Sequence, residues 1–462
     1  MKLKDEVRDQ LENFIFQRMS DSGIVGLSVA AFKGKESWFR RGFGFRDFTV
    51  GTSVTTDTTF CIGSVTKSFT ALAVLQLQER GLLSIEDPVE KYLPFKAKPS
   101  GETVLIRHLL SHSSGLAHLG YAEATLSAIT DNVDQWFPIC SPDDLLVFMN
   151  GAEDWAIAKP GERYAYLNEG YILLGKIVEN VSGVSYSDYI EEQILTPLGM
   201  SRSTFHEEDV KNDDDVATPY VTGPSGAKVA TRYPYGQMIA DGGLMSNGSD
   251  MTKFLSMLVS GGELDGRRVV SADSVAAMMT PRVHVVEDPV DGVGHRYYGY
   301  GLRIKKGFLG ETLIQHSGSV FGSSAYICLI PEKKMGITLL ANGGYFLEDI
   351  GEYMMALMLG RDPMEIPYFK RGQTLSSLTG TYKTFRNTSS YKVTRSGGIL
   401  QLETSFGTRT YTQPLIPVDL EGEPKRFRIY GVDTTTPVEF QMRDGALYLV
   451  YERNLAKRVI AP

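Results

Sequence analysis

The sequence predicts an α+β (α/β) protein: an antiparallel sheet flanked by helices beside a helical lobe, followed by a small C-terminal antiparallel β-barrel. Three observations point there. Strand-like runs stand at both ends of a long first region with helices between them, which suggests one sheet closed by its N- and C-terminal segments. A helix apolar almost all round begins at Ser64, and such a helix belongs in the middle of a protein. After about Pro367 short strands and turns alternate without a helical period.

In chain order, Leu3, Val7, Leu11, Phe14 and Ile15 fall on one helical face, so a helix is expected up to about Ser20. Gly26–Phe32 and Trp38–Phe45 read as two strands joined by Lys33-Gly34-Lys35. The apolar helix runs from Ser64 to about Arg80, with Gly81 as its stop signal. Further helices are expected over Gly170–Val181 and Asp250–Val259. Gly299–Ile304, Thr312–His316, Ser324–Ile330 and Gly336–Leu340 read as successive strands. Beyond them, Gly380–Tyr382, Tyr391–Val393, Ile399–Leu402, Pro437–Phe440 and Ala446–Val450 have the length and spacing of a small up-and-down barrel. The expected division is therefore 1–367 and 368–462.

Composition narrows the function. With 462 residues, two domains are expected, and 42% hydrophobic with 22% charged residues is ordinary for a globular chain. A net charge of -8 leaves no basic excess to neutralise phosphates, so a nucleic-acid partner is not expected. No run approaches the roughly 18 apolar residues of a membrane span. The charged start, Met1-Lys2-Leu3-Lys4-Asp5-Glu6, is unlike a signal peptide, so a cytoplasmic protein is expected. Cys61, Cys140 and Cys328 lack metal-ligand spacing, and Cys61 and Cys328 sit in apolar runs as buried thiols. Neither a metal nor an organic cofactor is expected.

Three short elements carry chemistry. Ser64-Val65-Thr66-Lys67 is an S-x-x-K tetrad, a pattern that Ser225–Lys228 and Ser389–Lys392 also match. Only Ser64 opens a long helix, where positions i and i+3 bring hydroxyl and ammonium to one face. The helix N-terminus adds partial positive charge that favours an alkoxide or a tetrahedral oxyanion. Tyr166-Leu167-Asn168 supplies a phenol able to act as base and then acid, and an amide able to hold Lys67 or a substrate carbonyl. His316-Ser317-Gly318-Ser319 is placed at a strand end, where Gly318 would let a substrate backbone approach. His108 and His112 read as structural, holding their loop packed. Trp136, Phe137 and Trp155 read as core aromatics or as pocket lining.

In this order and at these distances the three elements resemble the serine β-lactamase and penicillin-binding-protein superfamily, and within it the CubicO group, relatives of class C β-lactamases and D-stereospecific peptidases. The resemblance spans roughly Gly23 to Gly343. It includes Phe60–Lys67, Ile106–Leu116, Tyr166–Tyr171, Gly242-Gly243-Leu244 and Ala341-Asn342-Gly343. The C-terminal barrel resembles the lipocalin-like domains appended to archaeal CubicO peptidases and to D-aminopeptidases. The resemblance implies a β-lactamase/transpeptidase-like fold. It implies Ser64 as nucleophile, Lys67 and Tyr166 as the proton-transfer pair, and Asn168 as a contact of substrate and Lys67. His316 and Gly318 would bind substrate, and the backbone N–H groups of Ser64 and Ser319 would form the oxyanion hole.

One departure stands out. His316 opens the third element where β-lactamases and transpeptidases usually carry lysine, so recognition of a carboxylate should weaken. The expected function is a peptidase or amidase that forms an acyl-enzyme with small peptides, including those with D-residues. The alternatives are a carboxylesterase for short acyl chains, a β-lactamase, or a retired fold used as a binding module. The expected partner is a small peptide or ester substrate, with self-association into a homo-oligomer left open.

Overall fold

The computed structural model describes residues 4–459 apart from 122–123, 125–138, 140, 234, 237–238, 287–294 and 407. Trp136, Phe137 and Cys140 lie outside the described residues. The chain forms two compact units, Met1–Arg361 and Asp362–Pro462.

The first unit begins with α1 (Asp5–Ser22), which buries Leu11 and Ile15 and ends at Gly23, whose φ of 65° lets its N–H reach back to Met19 and Ser20. The hairpin β1 (Gly26–Lys33) and β2 (Glu36–Asp47) follows, then β3 (Thr52–Ser53). Next come α2 (Thr66–Glu79), α3 (Asn168–Ser182) and α4 (Gly248–Val259). The strands resume with β4 (Val283–Val286), β5 (Arg296–Tyr298), β6 (Arg303–Phe308), β7 (Glu311–Val320), β8 (Ser323–Ile330) and β9 (Met335–Ala341), before α5 (Glu348–Leu359). Among the described residues the main sheet has the order β4-β5-β6-β7-β8-β9-β1-β2-β3, with each neighbouring pair antiparallel. The N-terminal hairpin thus closes against the last strand, pairing Val29 with Leu339. Strands β8 and β9 are buried along their whole length because helices cover both faces of the sheet's centre. Cys61 and Cys328 are free and buried.

Every residue of α2 from Thr66 to Leu77 is buried. A helix surrounded by protein on all sides can fix a side chain's position without relying on surface contacts, which is what the reacting groups at its N-terminus require.

In the second unit, α6 (Pro367–Ser377) precedes eight strands that form a closed barrel among the described residues. They are β10 (Gly380–Lys383), β11 (Ser390–Ser396), β12 (Ile399–Phe406), β13 (Arg409–Asp419), β14 (Lys425–Tyr430), β15 (Thr435–Arg443), β16 (Ala446–Tyr451) and β17 (Asn454–Val459). Each pairs with the next, and β10 pairs with β17 to remove the free edges. Alternate residues such as Leu400, Leu402, Phe427, Ile429, Val438 and Phe440 fill its interior.

Several expectations need correction. Gly299–Leu302 is not strand: the chain turns there, with Gly301 at φ 68°, and β6 starts at Arg303. Ser64 lies in a 3-10 turn, Gly63–Val65, just ahead of α2 rather than in it. The third element lies inside β7, which continues to Val320, rather than at its end. Trp155 is 72% exposed, so it is not a core aromatic. Among the described residues no helix is long and apolar enough to cross a membrane.

Candidate active site

The Ser64 turn is held from both sides. Phe60 and Cys61 pair with Ser246 and Met245, and the chain then tightens through Gly63–Val65 into α2. One turn later Lys67 is fully buried, with Nζ 3.1 Å from Ser64 Oγ. The same Nζ donates to Asn168 Oδ1 at 2.8 Å and to the backbone carbonyl of Asp241 at 2.7 Å. The Asp241 carboxylate, also buried, is 3.9 Å away and supplies opposite charge. The competing tetrads are elsewhere: Ser225–Lys228 caps the hairpin of 220–222 and 228–230, and Ser389–Lys392 leads into β11. Neither places its lysine against its serine.

Asn168 is the first residue of α3, which is how its amide reaches Lys67. Tyr166 precedes it by two residues, with its ring centre 4.9 Å from Lys67 Nζ. That separation is a cation–π contact. Among the described residues the Tyr166 hydroxyl makes no hydrogen bond, and Tyr166 lines an open cleft with Ser64 and Asn168.

The third element meets the first backbone to backbone. A Cβ on Gly318 would stand 2.0 Å from the carbonyl of Ile62 and 3.0 Å from Ser64 N, so only glycine fits. Gly63, at φ 52°, is equally constrained, because a Cβ there would stand 2.7 Å from Ser319 N. Ser317, Gly318 and Ser319 line the same cleft as Ser64. His316 does not. It is fully buried, its Nε2 accepts from the Tyr298 hydroxyl at 2.9 Å, and its Nδ1 donates to Ser317 O at 2.7 Å. Burial, with the charges of Arg303 and Lys67, holds its pKa well below the usual histidine range, so the ring is neutral.

The cleft has a volume of about 710 Å³ and brings in residues that the sequence motifs left out. Arg303, Glu348 and the 92%-exposed Phe346 are the main ones. Arg303 follows the Gly301 turn, where a Cβ would come within 2.7 Å of Lys67 O, so β6 starts hard against α2. Its guanidinium is 5.9 Å from the centre of the Tyr166 ring, and its Nε is buried without a hydrogen-bond partner. Burial opposes its charge, but Tyr164, Tyr166, Tyr298 and Glu348 together raise its pKa further. Nothing in the sequence singles out Arg303, because it sits in no motif and opens a strand expected to begin earlier.

A serine activated by an adjacent amine, a phenol, an amide and an arginine around one cleft form a set suited to acyl transfer. The sequence profile of the beta-lactamase family matches residues 11–356, and that of the Pab87 octamerisation domain matches residues 363–456. The octameric penicillin-binding protein homologue from Pyrococcus abyssi is 40% identical, with a TM-score of 0.89 over 97% of this chain and 99% of that one. Protein flp of Staphylococcus aureus (strain MW2) is 26% identical over 392 residues, 83% of this chain and 71% of that protein. A D-stereospecific amidohydrolase from Streptomyces sp. shares the fold at 22% identity, with a TM-score of 0.61 over 76% of this chain and 98% of that one. Members of the beta-lactamase family are serine hydrolases. On the match over residues 11–356 and the likeness along nearly the whole length to the Pyrococcus abyssi structure, the chain belongs to the beta-lactamase family.

Proposed function

We propose that this protein hydrolyses amide bonds of small peptides, including those with D-residues, through an acyl-enzyme on Ser64. The observation that carries the reading is the coordination of Lys67. Two of its three hydrogen bonds go to fixed carbonyl oxygens, on Asn168 and Asp241, which leaves the third for Ser64 Oγ. Ser64 Oγ attacks the substrate carbonyl carbon while its proton passes to the Lys67–Tyr166 pair. The same pair then delivers a proton to the leaving nitrogen as the C–N bond breaks. Water attacks the acyl-enzyme in the second half and returns Ser64. The backbone N–H groups of Ser64 and Ser319 are the proposed oxyanion hole, supported by the close packing of Gly63 and Gly318 around them. Asn168 and the Gly318 strand would hold the substrate backbone, with His316 supporting that strand from beneath. Arg303 stands beside Tyr166, the proposed donor to the leaving group, and its charge suits a carboxylate on that side.

The assembly proposed is an octamer, on the strength of the octamerisation-domain match and the octameric homologue at 40% identity. A hydrolysis screen over L- and D-peptide nitroanilides, p-nitrophenyl esters and nitrocefin tests the function. Turnover of nitroanilide peptides supports it. Turnover of esters or nitrocefin alone would replace it with an esterase or a β-lactamase.

A further inference from the structure

We infer that His112 is a positioning residue that grips the chain on both sides of Tyr166 and stacks against its ring. The inference rests on the reading of Tyr166 as a proton carrier. Of the non-glycine residues described at left-handed φ, His112 (φ 54°) alone is buried. An L-residue in that region is strained, and such strain persists where the surroundings demand it.

The contacts explain the demand. The His112 carbonyl accepts the N–H of Ala165 at 2.8 Å, and its Nδ1 accepts the N–H of Leu167 at 3.0 Å. The residue between those two donors is Tyr166. The imidazole lies against the phenol with ring centres 4.1 Å apart and a tilt of 34°. Tyr171 and Tyr298 enclose the remaining faces, at 5.0 and 4.7 Å. Tyr171 is anchored in turn by donating to Leu110 O at 2.6 Å.

Because Nδ1 accepts, the ring proton belongs to Nε2, which is buried without a hydrogen-bond partner. Burial, reinforced by the nearby charges of Lys67 and Arg303, keeps the ring neutral and the Nδ1 lone pair available. A strained backbone and an unpaired N–H both destabilise, and they coincide at the residue that holds Tyr166. A loop filler needs neither. Asn168 continues directly into α3, so fixing 165–167 also fixes the phenol relative to the amide that orders Lys67.

The test uses the full-length protein, with p-nitrophenyl acetate hydrolysis and thermal melting read on each variant. His112→Gly tolerates the backbone angle but loses ring and acceptor. His112→Asn also tolerates it, and its Oδ1 can take the Leu167 N–H without the stacking. The expected loss in kcat for His112→Gly is about ten- to a hundredfold with KM little changed, the scale of a misplaced catalytic group. His112→Asn should recover part of it. In a Tyr166→Phe background, His112→Gly should cost nothing further, because it acts through the phenol. Unchanged kcat in His112→Gly beside a slow Tyr166→Phe would overturn the inference. So would losses that multiply in the double variant, or failure of both His112 variants to fold. A Tyr166→Phe enzyme as fast as wild type would instead remove the proton-transfer reading, and that result needs no change at His112.

Discussion

Arg303 pairs in register with Gln315, the residue before His316, and holds its guanidinium 5.9 Å from the Tyr166 ring. The fixed cation missing from the third motif is thus supplied one strand away. Histidine at position 316 removes a cation from the motif itself, while Arg303 keeps one beside Tyr166. Arg303→Gln should lower kcat/KM for substrates with a carboxylate on the leaving group by about 5- to 150-fold, as expected for losing a charge-assisted hydrogen bond of about 1–3 kcal/mol. Uncharged esters should change little. Steady-state kinetics on matched free-acid and amide peptides check the ratio, which should stay unaltered if Arg303 does not meet substrate.

Lys67 and Tyr166 are expected to work as one unit, with the lysine 4.9 Å from the phenol ring. Lys67→Ala and Tyr166→Phe should each reduce kcat by about 10²–10⁴, the usual scale for a positioned acid–base group. The double variant should lose far less than the product of the two. Multiplicative losses would assign them to separate steps.

Stability should fall with acid in a definite window. Burial pushes His108 down to about 4 and holds His112 and His316 well below the usual 6.5. The unfolded chain therefore binds protons below pH 6.5 that the folded chain refuses, so the stabilisation is fully present above 6.5 and is lost as pH falls toward the folded values. Each histidine contributes a slope of up to about 1.4 kcal/mol per pH unit. Urea unfolding between pH 7.5 and 5 measures it, and removing His108 by His108→Gln should reduce the slope.

The two units have separate hydrophobic cores, one around Phe69 and Phe254 and the other around Phe427 and Phe440. Residues 1–361 alone should fold and still react at Ser64, since the three site elements all precede the division. If the second unit assembles the octamer, light scattering should find the shortened protein at a lower order than the full chain. A shortened protein that keeps the full-length assembly would place the interface in the first unit.

Legibility in the sequence followed the range of the interaction. Ser64 and Lys67 could be read because both lie within one turn, and Tyr166 and Asn168 because they share a short motif. Arg303, Phe346 and Glu348 join the cleft only through β6, the segment ahead of α5 and the first residue of α5, and nothing local marks them. The left-handed angle at His112 is likewise invisible, because histidine, unlike glycine, does not announce it. In the barrel, β13 escaped notice because Pro414 and Pro417 interrupt a strand-like run. The polar alternation of β14, with only Phe427 and Ile429 facing inward, offered too little apolar signal. The helix α6 carries Gly372 at its centre, which weakens its helical signal.

Ser64, with its hydroxyl 3.1 Å from Lys67 Nζ, is the residue proposed to be acylated. Intact-mass spectrometry after treatment with a fluorophosphonate probe tests it most directly, on wild type, Ser64→Ala, Ser225→Ala and Ser389→Ala. A single adduct is expected on wild type and on the last two variants, and none on Ser64→Ala. An adduct on Ser64→Ala, formed at the wild-type rate, would contradict it.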